Sequence, residues 1–261
     1  NNGSVKSLDS ISINGNVNND GEILTNKNFI AKDVVSSKIL IAKENISVSN
    51  LNNSGTVATE KKLEINGSLE NKGKIQAIED IKISENANNS GSILTNSKFS
   101  SKDLRNTNEL KANKEISVKN LENTGNILTG DILNVDGSLN NSGNIQANSQ
   151  IEVLGNVNNT GEILTNNSFT AKDVKTTGKL ISKDNINVSD LENSGVITSN
   201  NKLNIDGKLT NLGAIQAVEN ITATNNVLNK GTILTNGSFT SKDIKNEKEL
   251  SVNKDITVSK L

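Results

Sequence analysis

Cysteine, histidine, methionine, tryptophan, tyrosine and proline are all missing from this chain of 261 residues, and phenylalanine occurs only four times. Without His or Cys there is no zinc site of the usual kind, no thiol nucleophile, no haem ligand and no imidazole acid–base catalyst. Without Cys there is also no disulfide framework, so cysteine usage says nothing about redox compartment. Arginine is represented by Arg105 alone and the net charge is −1. Nucleic-acid surfaces need a basic field and usually aromatic platforms, and this chain has neither. No apolar run approaches the ~18 residues of a membrane span. The chain opens with neither an initiator Met nor a charged-then-apolar leader. It is therefore expected to be an internal fragment whose export signal lies outside it.

What the chain has instead is asparagine, 48 residues of it, with a hydrophobic share of only 32%. Such a polar composition could mean disorder, but the order of the residues argues otherwise. Four segments nearly coincide: NDGEILTNKNFIAKD from Asn19, NSGSILTNSKFSSKD from Asn89, NTGEILTNNSFTAKD from Asn159 and NKGTILTNGSFTSKD from Asn229, each 70 residues after the last. Within each block the glycine of an Asn-x-Gly tripeptide marks a shorter period. The markers run Gly3, Gly21, Lys38, Gly55, Gly73 and onward to Lys248, in steps of 18, 17, 17 and 18, giving 15 short repeats.

Apolar residues keep fixed distances from the marker. Two positions after it stand only aliphatics, among them Ile75, Ile145 and Ile215. Eight after it, every residue is Ile, Leu or Phe. Ten after it, all but Ser101 and Ser241 are Ile, Val or Ala. Four before the next marker, all are apolar, from Val17 to Leu261. Spacings of two are strand periodicity, and Asn, Gly, Ser, Asp and Lys fill the corners between. Strands this short cannot bury a face alone but can when stacked on copies of themselves. The pattern predicts an all-β fold, a single-stranded parallel β-helix of about 15 rungs of 17–18 residues, grouped in fours. At ~4.8 Å per rung it predicts a rod roughly 70 Å long, spanning residues 1–261 as one shaft fragment that continues beyond both ends.

Phe29, Phe99, Phe169 and Phe239 replace Ile or Leu in one inward column. Each is followed two residues later by a small residue: Ala31, Ser101, Ala171 or Ser241. That is volume compensation in a packed core. Two positions before the marker, Asn fills 13 of 15 rungs, with Ser36 and Thr176 the exceptions. Stacking predicts a ladder of amides that includes Asn53, Asn71, Asn89, Asn123, Asn141, Asn159, Asn193, Asn211 and Asn229. Gly at the marker is expected to be a left-handed corner residue, which Asn108 tolerates and Lys38 and Lys248 do not, so those two corners should be looser or of another type.

Several functional readings fall to plainer ones. Asn-x-Ser/Thr sequons such as Asn45-Ile46-Ser47 follow from composition. The pairs Lys32-Asp33, Lys102-Asp103, Lys172-Asp173 and Lys242-Asp243 recur at one corner type and read as solvated. The glycine-aspartate nonapeptide of calcium-binding β-rolls is missing. The regular threonines fall in inward columns, which argues against ice binding. A β-helical polysaccharide enzyme would need a cluster of charged groups and rings to stack on sugars, and no rung stands out as unique. No catalytic residue, metal or cofactor is therefore expected.

The Asn-x-Gly-x-Ile-x-Thr/Ala pattern, including NSGNIQA from Asn141, NLGAIQA from Asn211 and DGSLNNSGNI from Asp136, resembles the repeats of filamentous haemagglutinin-type exoproteins over the whole chain. The resemblance implies a right-handed β-helix, secreted to the bacterial cell surface through an outer-membrane two-partner-secretion transporter. The family's secretion domain carries Asn-Pro motifs that a proline-free chain lacks, so this stretch is expected to be shaft. The implied function is the structural shaft of a surface adhesin, projecting a distal region that meets a host-cell or bacterial receptor. Alternatives are shaft faces that themselves bind host glycan or protein, or the shaft of a contact-dependent growth-inhibition effector.

Overall fold

The computed structural model describes residues 1–260. Leu261, the last member of the inward column four before the marker, lies outside the described residues. Every regular element among the described residues is a β-strand. The chain divides by its internal contacts into two compact units, Asn1–Asp131 and Ile132–Leu261.

The rung is built alike in both units, except that in two rungs of the first unit the second and third strands run on as one, Phe99–Asn106 and Ile116–Asn123. A first strand such as Thr56–Thr59 is followed by a second, Leu63–Ile65, and a third, Leu69–Asn71. There are eight first strands in the first unit, from Ser4–Ser7 to Asn126–Thr129, and seven in the second, from Asn144–Ala147 to Glu249–Val252. Each pairs in parallel with its equivalent one rung away, as Val57 does with Leu40 on one side and Ile75 on the other. The chain is thus an all-β parallel solenoid of about 15 rungs with about 17 residues per rung. The difference between 17- and 18-residue rungs lies at one corner. Asn66, Gly67 and Ser68 lead from the second strand to Leu69, whereas Ser49 and Asn50 alone lead to Leu51.

Alternation along each strand sends one set of side chains inward. Ile75, Ile145 and Ile215 are buried to 1% exposure or less, and Phe29, Phe99, Phe169 and Phe239 are fully buried. The register stacks Phe169 between Ile151 and Ile186, and Ala171 between Val153 and Val188. The small residue therefore sits beside the ring in its own rung, while larger ones flank it above and below.

The marker glycines differ from expectation. Among the described residues no glycine and no other residue adopts a positive φ. The reason for glycine is proximity of backbone to backbone. A Cβ on Gly55 would lie 2.1 Å from the Lys38 carbonyl oxygen, and one on Gly178 2.0 Å from that of Gly161. Where the marker carries a side chain the corner gives way. The amide after a glycine marker donates to the marker carbonyl one rung back at 2.6–2.9 Å. After Lys38, Asn108 and Lys248 the same bond, from Ile39, Glu109 and Glu249, is 3.1–3.2 Å. The looser corners are real, and their cause is steric. Asn108 belongs with the two lysines, because tolerance of a left-handed conformation does not enter.

Candidate functional surfaces

The inward asparagines form hydrogen-bonded files. Asn53 Nδ2 donates to Asn71 Oδ1 at 2.9 Å, Asn71 to Asn89 at 2.8 Å, Asn89 to Asn106 at 2.7 Å and Asn106 to Asn123 at 2.9 Å. In the second unit Asn141 donates to Asn159, Asn193 to Asn211 and Asn211 to Asn229, each at 2.8 Å. Each of these asparagines is at most 3% exposed. The amide nitrogen also reaches two backbone carbonyls, as Asn211 Nδ2 does with Gly213 at 3.2 Å and Thr232 at 3.1 Å. A buried amide thus has partners for its donors and its acceptor. At the exceptions the hydroxyl serves as acceptor: Ser36 for Asn19 and Thr176 for Asn159.

A second device was not apparent from the sequence. Four residues after the marker, the inward position is Ala, Thr or Ser in every rung but the last, which has Val252, and size alone makes the three equivalent. In the structure the hydroxyls clip corners. The hydroxyls of Thr25, Thr59 and Thr165 donate to the carbonyls of Asp9, Glu44 and Ser149 one rung back. They accept from the amides of Lys27, Lys61 and Asn167 two residues on. Ser182 and Ser199 do the same toward Asn167 and Asp184. The usable signal was chemical: a hydroxyl in an inward column requires a partner. Ser101 and Ser241, beside Phe99 and Phe239, are the cases where none is found.

Outside, the charges pair between neighbouring rungs: Lys61 with Glu79 at 3.0 Å, Lys98 with Glu115 at 2.9 Å, Arg105 with Glu122 at 3.4 Å and Lys175 with Glu192 at 2.9 Å. The Ser97 hydroxyl, ahead of smaller contributions from the Lys98 amide and nearby lysines, holds the Asp80 carboxyl below its usual value. The Lys-Asp corners lie at the surface, and Lys102 bonds Glu85 at 2.9 Å. At two of them the aspartate accepts from an asparagine one rung on, Asp33 from Asn50 at 2.7 Å and Asp103 from Asn120 at 2.8 Å. At the third, Asp173 and Asp190 stand just before the paired Val174 and Leu191 and line one groove.

A concavity of about 660 Å³ lies over the third strands of the second unit, lined by Lys208, Asn226, Leu228, Asp243 and Lys260. It meets a second of 370 Å³, which holds Asp173 and Asp190, at Lys208 and Thr210. Both are open grooves. Among the described residues no three carboxylates converge as a metal site would require. Comparison with protein-family models, with curated proteins and with solved structures finds no match to this chain.

Proposed function

We propose that this chain is a stretch of shaft from a secreted bacterial surface adhesin of the filamentous haemagglutinin type. In this reading the solenoid is right-handed and built in 70-residue blocks of four rungs. It leaves the cell through an outer-membrane two-partner-secretion transporter and holds a receptor-binding region away from the surface. It catalyses nothing. Right-handedness accords with the rule for parallel crossovers. The observation that carries the reading is uniformity. The buried amides and most buried hydroxyls are used in bonds to the neighbouring rung, and the same devices recur from rung to rung. Such a molecule is specified for stacking.

The test is a deletion in the parent protein. Removing Gly91 through Thr160 joins Ser90 to Gly161, equivalent points of the pattern, and keeps every inward column in phase. The shortened protein should fold and still attach. Deleting nine residues from the same stretch turns inward positions outward and should break the fold there. A four-rung deletion that folds but no longer attaches would reject the shaft reading. The alternative is that a face of the solenoid binds glycan or protein itself. It is favoured by the adjoining grooves of the second unit, where Asp173, Asp190 and Lys208 line one open surface.

A further inference from the structure

The outward face of the first strands in the second unit differs from its counterpart in the first, whose central column includes Lys6 and Lys111. Its central column, from Gln146 to Ser251, carries no charge over seven rungs, in a molecule where 22% of residues are charged. Leu164 and Ile181 stand side by side in it. Val196, 42% exposed, lies in the adjoining outward column. Aliphatic side chains on a flat sheet face are what sheet-on-sheet packing uses. Beside Leu164 and Ile181 lie Glu162 and Lys179, 3.8 Å apart and both well exposed.

We propose that this face pairs with the same face of a second copy of the chain, about a two-fold axis parallel to the strands and midway between the rungs of Leu164 and Ile181. The argument is self-complementarity. Such an axis preserves position along the strand and exchanges the two rungs. Leu164 then faces Ile181 of the other copy, and Glu162 faces Lys179 of the other copy, each twice by symmetry. The two intramolecular pairs become a four-membered network of alternating sign, and the aliphatic quartet lies beside it. The equivalent rungs elsewhere do not satisfy the same operation. Of the three equivalent rung pairs, one would set Glu22 against Ile39, one Leu94 against Lys111, and one Thr232 against Glu249 and Leu234 against Ser251. The second unit is the place where both the apolar and the charged columns match themselves.

The experiment is sedimentation velocity on the chain from about 1 μM to about 1 mM. Ile181→Lys is the disrupting variant, and the chain supplies its own evidence that the fold accepts it, since Lys111 holds the same position one block earlier. The parent should dimerise, and Ile181→Lys should weaken association at least about tenfold with an unchanged circular dichroism spectrum. Should that variant fold poorly, Ile181→Ser, which copies Ser251, replaces it. Lys179→Glu should also weaken the dimer, and Glu162→Lys combined with Lys179→Glu should restore it. A parent that stays monomeric throughout, a folded Ile181 variant that associates as well as the parent, or a double reversal no tighter than the single one would each overturn the proposal.

Discussion

Replacing Asn211 by alanine tests whether the amide files hold the solenoid together. The side chain donates to Asn229 Oδ1, to the Gly213 carbonyl and to the Thr232 carbonyl, and it accepts from Asn193 Nδ2. Alanine removes all four bonds. Each is worth about 1 kcal/mol net, and more where a buried group is left bare. Some of the loss is recovered. Asn193 Nδ2 keeps the carbonyls of Gly195 and Ala214, and Asn229 Oδ1 keeps the Gly231 amide at 3.2 Å. The expected cost is therefore about 2–4 kcal/mol. Threonine is the informative comparison, because Thr176 already occupies this column and accepts from Asn159 at 3.2 Å. Asn211→Thr should keep the acceptor, lose the donors and cost about half as much. Urea unfolding followed by circular dichroism measures both, with m compared to exclude a change in cooperativity. A cost below about 0.5 kcal/mol for alanine, or equal costs for alanine and threonine, would show that the amides contribute nothing specific.

The buried hydroxyls of Ser101 and Ser241 lack partners, and alanine stands in the equivalent positions at 31 and 171, so Ser101→Ala and Ser241→Ala should each stabilise by about 1 kcal/mol in thermal melts. Asp190→Asn should recreate at Asp173 the bond that Asn50 makes to Asp33, raising stability by ~0.2–1 kcal/mol in urea melts at pH 7. Because its pKa is depressed in the folded state, Asp80 contributes stability above its unfolded pKa that disappears as pH falls through the folded value. Asp80→Asn should thus lose less stability than the parent between pH 5 and pH 2, measured by melting temperature.

The inward columns were legible because burial selects residue type in each interior rung, and the end rungs, where Val5 and Ile256 are exposed, keep the same residue types at the same spacings. Phe169 beside Ala171 carried volume information of the same kind. The marker glycine was legible as a special position but not for the right reason. A column of glycines reports that a side chain is unwelcome there. It does not distinguish a left-handed φ from a carbonyl lying 2 Å from where Cβ would be. The clips made by Thr25 and Thr59 were missed because their column was read by size, where Thr and Ala are alike. The pairing of Lys61 with Glu79 was also beyond the spacing, since it depends on which way two long side chains turn at a corner.

Comparison of equivalent positions separates what the fold requires from what it permits. The inward residues Ile23, Ile93, Ile163 and Ile233 are identical across blocks, whereas the next-rung partners of the outward Leu24, Leu94, Leu164 and Leu234 run Ile41, Lys111, Ile181 and Ser251. At the solvated corner the residues 17 positions after Asp33, Asp103, Asp173 and Asp243 run Asn50, Asn120, Asp190 and Lys260. Stacking energy depends on the first kind of position and is nearly indifferent to the second. A surface can therefore change sign, lose its charge or gain an aliphatic patch at one rung without disturbing the core beneath it. Any recognition by this solenoid has to arise where the outward columns depart from their own repeat. The column that stays uncharged past Leu164 and Ile181, where the block before carries Lys111, and Asp190, where the two earlier blocks carry asparagine, are two such departures, and both lie in the second unit.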